Sequence, residues 1–406
     1  MALIVQKYGG SSVKDPESLK RVARRIVEEH RRGNQLVVVV SAMGETTDHL
    51  VELAHQVSSR PPEREMDMLL SVGERISIAL LAMAIHELGD EAISFTGSQV
   101  GIITDNHHTE ARILEVKGLR IREALNNGKI VIVAGFQGVS INKEITTLGR
   151  GGSDTTAIAL AAALQADRCE IMKDVDGVFV SEPRLVPDTR LNHEITYDEM
   201  IEMANLGAGV LKPESVETAR RYNVKVAVGS SFTGEIGTII TDKKHDSAAI
   251  SGIVGQKDMI YLKLHSTDFS FKNKLNQFLA SGKIKVQSYI MQPNSLELVF
   301  QERHWKAVKN FLDQSPSNFT LEEEKKVGII GIIGTGLNFN SRAAFQVFRA
   351  LENLHITPEM LQVSEFRISW ILPEGHLEES ISRLHHELIR TQPTDARKVN
   401  NFNPIK

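Results

Sequence analysis

Thr146-Thr147-Leu148-Gly149-Arg150-Gly151-Gly152-Ser153-Asp154-Thr155-Thr156 places a glycine-rich turn, one cation and one carboxylate between two patterns of regular structure. Upstream, Ile130 to Ala134 is apolar and mostly β-branched, which predicts a buried strand. Downstream, Ala157 to Ala166 is rich in alanine and leucine, which predicts a helix. The turn therefore opens onto a helix N-terminus, where unpaired N–H groups and the positive end of the helix dipole face an anion and glycines let the main chain approach it. Arg150 adds a planar fork suited to a carboxylate or a phosphate. A merely flexible loop gives no reason for Arg, Ser, Asp and two Thr to crowd the same positions, so an anion-holding turn is the better reading. The motif alone names no substrate.

The first 230 or so residues alternate apolar strands with helical patterns, the signature of a mostly parallel sheet covered on both faces. Asp15-Pro16 opens a helix that Gly33 closes, and Leu36 to Val40 follows as a central strand. Met66 to Leu88 is a long helical pattern, Ala92 to Thr96 a short strand, and Ala111 to Asn127 a helix stopped near Gly128. Ile130 to Ala134, Glu170 to Met172 and Val224 to Val228 complete the sheet. The N-terminal strand Leu3-Ile4-Val5-Gln6-Lys7-Tyr8 runs into Gly9-Gly10-Ser11-Ser12-Val13. There a lysine can reach a phosphate as a point charge while Gly-Gly amides cradle it, although the order of residues is not that of a Walker A loop. Ser41-Ala42-Met43-Gly44 and Gly135-Phe136-Gln137-Gly138 are further turns at strand ends, where ligands of such sheets gather.

From about 231 to 250 the chain turns polar and reads as a junction. Beyond it, Met259 to Leu264, Phe271 to Ala280, Lys285 to Met291, Leu296 to Phe300 and His304 to Leu312 form a βαββα unit within 251–320. After a charged connector, Glu322 to Lys326, the same order repeats at a spacing of about 70 residues within 321–392. Residues 393–406 read as a loose polar tail. With 406 residues, 41% hydrophobic and 24% charged, the chain can bury more than one core. A net charge of −4 without a basic block argues against a nucleic-acid partner, and no window approaches the roughly 18 apolar residues of a membrane helix. The single cysteine, Cys169, excludes an internal disulfide framework, fits a reducing cytoplasm and reads as a small core residue.

Taken in order and spacing, Lys7-Tyr8-Gly9-Gly10-Ser11-Ser12-Val13, Ser41-Ala42-Met43-Gly44, Gly73-Glu74, Gly135-Phe136-Gln137-Gly138, the Thr146 to Thr156 stretch and Lys173-Asp174-Val175-Asp176-Gly177-Val178 closely resemble the aspartokinase family over nearly the whole chain. The resemblance implies an α/β fold. Residues 1–230 would form an amino acid kinase domain, a mostly parallel sheet sandwich, followed by two α+β ACT-like modules of ferredoxin-like βαββα order. It implies transfer of the γ-phosphoryl of ATP, with Mg²⁺, to the β-carboxylate of aspartate, giving a product that leads to lysine, threonine and methionine. It also implies a homo-oligomer joined through the ACT-like modules.

The resemblance assigns Lys7 and Asp154 to catalysis, Asp154 as an organiser of Lys7 and the metal. Thr47, Glu74, Arg150 and Ser153 fall to aspartate, and Lys7, Tyr8, Gly9, Gly10, Lys173, Asp174, Phe179, Arg184 and Lys212 to the nucleotide. Asp154 could equally cap its helix, and Glu74 could be a solvated glutamate on a helix face. Because the acceptor carboxylate is already ionised, no strong general base is needed. The chain departs from the family pattern at Lys173, where threonine is usual, at Glu182, where aspartate is usual, and at Lys212, where histidine is usual. Some members carry a lysine at the position of Gly209. In the first ACT-like module, Thr267-Asp268-Phe269-Ser270-Phe271 replaces the Pro-Gly turn that receives an amino-acid effector. Thr335 to Arg342 lacks it again in the second, whereas Ser364-Glu365 matches. Feedback by lysine or threonine is therefore expected to be weak, absent or retuned, unless Phe269 and Phe271 simply fill a core. Two other readings stay open: a kinase of the same fold for glutamate, N-acetylglutamate, carbamate or UMP, and a silent amino-acid sensor.

Overall fold

The computed structural model describes residues 1–149, 151–242, 250–282, 284–314, 318–337 and 342–390. The chain gathers into two compact units, Met1–Val180 with Arg190–Asp246, and Ser181–Thr189 with Ser247–Lys406.

The first unit runs β1 (Leu3–Tyr8), α1 (Pro16–Arg31), β2 (Gln35–Val40), α2 (Thr46–Val57), α3 (Glu63–Leu70), α4 (Val72–Glu87), β3 (Ala92–Phe95), β4 (Ile102–Thr104), β5 (Ile113–Val116), α5 (Leu119–Asn126), β6 (Ile130–Ala134), β7 (Gln137–Ser140), β8 (Ile145–Thr147), α6 (Gly152–Leu164), β9 (Arg168–Lys173), β10 (Glu194–Thr196), α7 (Tyr197–Asn205), α8 (Pro213–Arg221), β11 (Val226–Ser230) and β12 (Ile236–Thr241). Eight strands form one sheet in the order β10-β12-β11-β9-β1-β2-β6-β3, parallel except where β11 meets β12. This is the mostly parallel sheet that the alternating pattern predicts. β12 lies in the stretch read as a junction. The central strands are apolar on both faces because helices cover both: Val37 to Val40 and Ile130 to Ala134 are fully buried. On one face α1 brings Leu19, Val22, Ala23 and Ile26 against Ile78, Leu81 and Ile85 of α4. Each of the valine, leucine and isoleucine side chains contributes about 1.5–3 kcal/mol by leaving water. Asp15 caps α1 by accepting the Ser18 amide at 2.7 Å, with Pro16 at the first helical position, as the Asp-Pro signal predicts.

Three local expectations are corrected. Residues 111–127 are not one helix: β5 pairs with β4, and Gly118, at φ 64°, turns the chain into the shorter α5. The strand β6 does not lead straight to the glycine turn, because the hairpin β7–β8 intervenes and belongs to a second sheet, β5-β4-β7-β8. The long pattern from Met66 breaks at Ser71 into α3 and α4. Together, residues 63–87 are long and apolar enough to cross a membrane by length and composition, contrary to the expectation that no window comes near it. A packed core helix meets the same criterion, and Asp67, Ser71, Glu74 and Ser77 are buried polar groups along this one. Cys169 lies fully buried on β9, between β11 and β1, as a core residue.

The second unit runs β13 (Ile250–His265), α9 (Phe269–Ser281), β14 (Val286–Met291), β15 (Ser295–Gln301), α10 (Trp305–Asp313), β16 (Thr320–Gly334), α11 (Arg342–Asn353), β17 (Met360–Val363), β18 (Arg367–Pro373) and α12 (Leu377–His385). The two βαββα repeats appear as predicted, but they share one sheet, β14-β15-β13-β16-β18-β17, joined by the long antiparallel pair β13–β16. The charged run Glu322 to Lys326 is therefore no connector. It is the exposed half of β16, paired with residues of β13. Phe271 is buried and stacks on Phe319 at 5.2 Å, so its bulk fills the module core, while Phe269 is 72% exposed. Asn338, Phe339, Asn340 and Ser341 lie outside the described residues.

Candidate active site

The strands β9, β1, β2 and β6 lie side by side, and their registers bring Met172, Tyr8, Val40 and Ala134 level. The residues at and just beyond these ends, Lys173, Lys7, Ser41 and Gly135, therefore emerge along one edge, where an open α/β sheet binds its ligands. The N-terminus of α6 faces the same edge. Together they border a cleft of about 570 Å³ lined by Lys7, Gly10, Ser41, Thr47, Glu74, Thr147, Gly149, Gly151, Gly152, Ser153, Asp154 and Lys173, among others.

Asp154, in the first turn of α6, is the electrostatic centre. Its Oδ1 lies 2.7 Å from Lys7 Nζ and its Oδ2 2.9 Å from Lys173 Nζ, so one carboxylate holds two ammonium groups. Burial opposes the charge on Asp154, but the two lysines outweigh it and hold its carboxyl below the usual carboxylate range. Burial lowers the Lys7 ammonium against the pull of Asp154, and Lys173 lowers it further. A triad of this sign offers a concentrated positive field to an anion, with the lysines fixed before it arrives.

Glu74 faces the same cleft from the first turn of α4. Gly73 lets that helix approach closely, since a Cβ there would sit 2.7 Å from the Ala42 side chain. Glu74 Oε1 accepts the Ala42 amide at 3.0 Å, while the buried Oε2 has no hydrogen-bond partner among the described residues. Burial pushes the Glu74 carboxyl up to about 7, against the opposing pull of the Ala42 amide and of Lys7. A buried carboxylate oxygen without a donor is costly, and a ligand cation would supply the missing partner.

Of the remaining residues singled out in the sequence, Thr47 lines the cleft from the first turn of α2, and Ser153 lines it with its hydroxyl 3.1 Å from that of Ser41. Gly10 lines it too, whereas Tyr8 is buried in the core with its hydroxyl turned to Gln6. A Cβ on Gly9 would stand 3.6 Å from Lys7 Nζ. Arg150 lies outside the described residues. The backbone at Gly151 is left-handed, φ 77°, and a Cβ there would collide at 2.2 Å with Lys212 Cγ, so the Lys212 stem covers the glycine turn. Asp174 is exposed and does not line the cleft; neither does Phe179, which bridges to Leu191. Arg184, on the segment that clusters with the second unit, is 93% exposed beside Glu182 at 4.0 Å. The turn itself spends part of its cradle. The amides of Gly152 and Asp154 donate to the Gly149 and Gly151 carbonyls at 3.0 and 3.1 Å, so the lysines and the dipole carry more of the anion's charge than the sequence suggests.

Sequence reasoning missed Thr109, Glu110 and Thr147, which also line the cleft. Thr147 stands in the motif, but Thr109 and Glu110 precede a stretch read as helix, and no spacing signal marks them. Thr109 is held left-handed at φ 64°, a strained state for a β-branched residue that costs on the order of 1–3 kcal/mol.

A family model for the amino acid kinase family matches residues 2–230. The aspartokinase of Geobacillus stearothermophilus is 44% identical over 408 residues, covering 95% of this chain and 97% of its own length. That of Mycolicibacterium smegmatis is 44% identical over 409 residues, covering 95% and 96%. Among solved structures, E. coli aspartokinase III in complex with aspartate and ADP (R-state) matches with a TM-score of 0.81 at 26% identity, over 95% of this chain and 99% of that one. Its complex with lysine and aspartate (T-state) matches with a TM-score of 0.77 at the same 26% identity and the same coverage.

Proposed function

This chain belongs to the aspartokinases of the amino acid kinase family, and on that premise we propose how its cleft phosphorylates the β-carboxylate of L-aspartate with ATP. The observation that carries the reading is the single carboxylate of Asp154 gripping both Lys7 and Lys173 in the cleft that also holds the unpartnered oxygen of Glu74. In the reaction a β-carboxylate oxygen of aspartate forms a bond to the γ-phosphorus as the bond from that phosphorus to the β,γ-bridging oxygen breaks, giving 4-phospho-L-aspartate and ADP. No proton need move, so the protein's work is positioning and neutralising charge on the transferring oxygens.

Lys7 and Lys173 neutralise the phosphoryl oxygens, and Asp154 keeps both ammonium groups in place. Glu74 takes the ammonium of aspartate, and Thr47, Ser153 and Arg150 take its carboxylates. Gly9, Gly10, the Tyr8 backbone and Lys212 serve the phosphates; Asp174, Phe179 and Arg184 serve the rest of the nucleotide. Among the described residues no group of three or more His, Cys, Asp or Glu could hold a metal ion, and both oxygens of Asp154 face lysines. Mg²⁺ is thus read as arriving on the nucleotide phosphates, where it supplies charge neutralisation.

The reaction is assigned to the cytoplasm, a setting that the buried free thiol of Cys169 suits. The second unit is read as the amino-acid-sensing and self-associating part, with feedback by lysine or threonine weakened or retuned because Thr267-Asp268 replaces a Pro-Gly turn. A coupled assay of ADP release with aspartate and Mg·ATP tests the reading. Turnover is expected, with kcat reduced about 10²–10³-fold in Lys7→Ala and Asp154→Ala and mainly a higher KM for aspartate in Arg150→Ala. Near-normal kinetics in all three would refute it.

A further inference from the structure

We propose that Asp67, a residue outside the cleft, is the positioning residue that sets the aspartate side of the site. The inference rests on the aspartate-phosphorylating reading above. Asp67 is fully buried on α3, seven residues before Glu74, and its two oxygens accept from three donors on two separate segments. The Thr147 hydroxyl donates to Oδ1 at 2.5 Å, the Thr109 amide is shared between Oδ1 at 3.0 Å and Oδ2 at 3.2 Å, and His108 Nδ1 lies 2.6 Å from Oδ2. A carboxylate can only accept, so His108 presents Nδ1–H to it.

What these donors have in common is the rim of the cleft. Thr147 ends β8 and begins the glycine turn, and its carbonyl accepts the Ala111 amide at 2.9 Å. The carbonyl of Thr109 approaches Gly149 closely enough that a Cβ there would meet it at 3.3 Å. Thr109, Glu110, Thr147 and Gly149 all line the cleft, while Asp67 does not. A left-handed threonine persists only where its surroundings hold it, and the Asp67 carboxylate holds this one through its amide. The other end of α3 is fixed as well: Gln137 donates to the Ser71 carbonyl at 2.9 Å, at the joint from which α4 carries Glu74 into the cleft. One buried carboxylate thus ties the helix that leads to Glu74 to the turn that leads to Asp154. Lys7 and Lys173 stand on strands it does not touch. Its loss should therefore loosen the acceptor more than the nucleotide, since small misplacements of positioning groups cost large factors in binding or rate.

The test uses the full-length protein and steady-state kinetics with aspartate and Mg·ATP varied in turn. Asp67→Asn cannot accept from both sides at once. It is expected to raise KM for aspartate about tenfold or more while KM for ATP and kcat at saturating aspartate move less than about threefold. Thr147→Val should reproduce that split, and Thr147→Ser, which restores the hydroxyl, should return KM for aspartate to within about twofold of the parent. Should Asp67→Asn fail to fold, the Thr147 pair decides alone. An unchanged KM for aspartate in folded Asp67→Asn or in Thr147→Val, or equal rises in both KM values, would overturn the proposal while leaving the aspartate reading intact. No ADP release by the unmodified protein with aspartate would overturn that reading itself.

Discussion

Glu74 shows what burial costs a single carboxyl, the one that the proposed function gives to the ammonium of aspartate. Its carboxyl is pushed up to about 7 by burial, so above its ordinary 4.5 the unfolded chain loses this proton while the folded protein keeps it until about 7. Its contribution to stability is therefore full below 4.5, declines as pH rises through 7, and stays lost beyond. The shift corresponds to roughly 3 kcal/mol. Glu74→Gln should accordingly unfold at a higher temperature than the parent at pH 8 and show little difference at pH 4.5, as followed by calorimetry. The same substitution should abolish the rise of kcat/KM for aspartate that the parent shows as pH passes through about 7, because only the ionised carboxylate attracts an ammonium group. A variant no more stable at pH 8 would show that the parent carboxyl carries no such penalty. Lys7 and Asp154 stood out in the sequence because each lies two residues from a glycine pair, whereas Glu74, beside the single Gly73 in a helical pattern, was marked only by the family resemblance. Asp67 was not: it sits inside a helical pattern and finds its partners 41, 42 and 80 residues away. Lys173, which the resemblance assigned to the nucleotide and marked as a departure from the usual threonine, makes its contact with Asp154 at 2.9 Å.

At the scale of elements, the strands of the large sheet could be read from their continuous apolar runs, which burial on both faces requires. β11 begins two residues later than expected, after a left-handed Asn223. The small sheet was illegible because its strands have three or four residues, too few to establish a period, and Gly118 was needed to divide β5 from α5. The charged half of β16 escaped for a different reason. Main-chain pairing with β13 needs no apolar side chain, and residues 320–324 are solvent-exposed. That pairing makes the two repeats structurally inseparable. A chain ended after Asp313 would lose β16 and bare the edge of β13 along Ile253, Met259 and Leu262. Such an edge invites pairing with other chains. The truncated protein is expected in the insoluble fraction or as large aggregates by light scattering; a monodisperse, soluble product would show that each repeat stands alone.

At the scale of the whole molecule, two compact units mean two cooperative transitions to be distinguished. Cys169 gives access to one of them. The only cysteine in the chain is fully buried on β9, and burial pushes its thiol far up, so an alkylating reagent has neither access nor thiolate in the folded state. In native buffer a thiol-titrating dye should find close to no reactive thiol, and in denaturant one per chain. Prompt labelling without denaturant would contradict the burial of β9. The slow residual rate under native conditions should fall further when aspartate and Mg·ATP are added, because ligands that bind only the folded state suppress opening. A side chain with no part in the chemistry thereby becomes a built-in clock for the eight-stranded sheet. Timed against the loss of circular dichroism from the entire chain, it reports whether the catalytic unit melts with its neighbour or outlasts it.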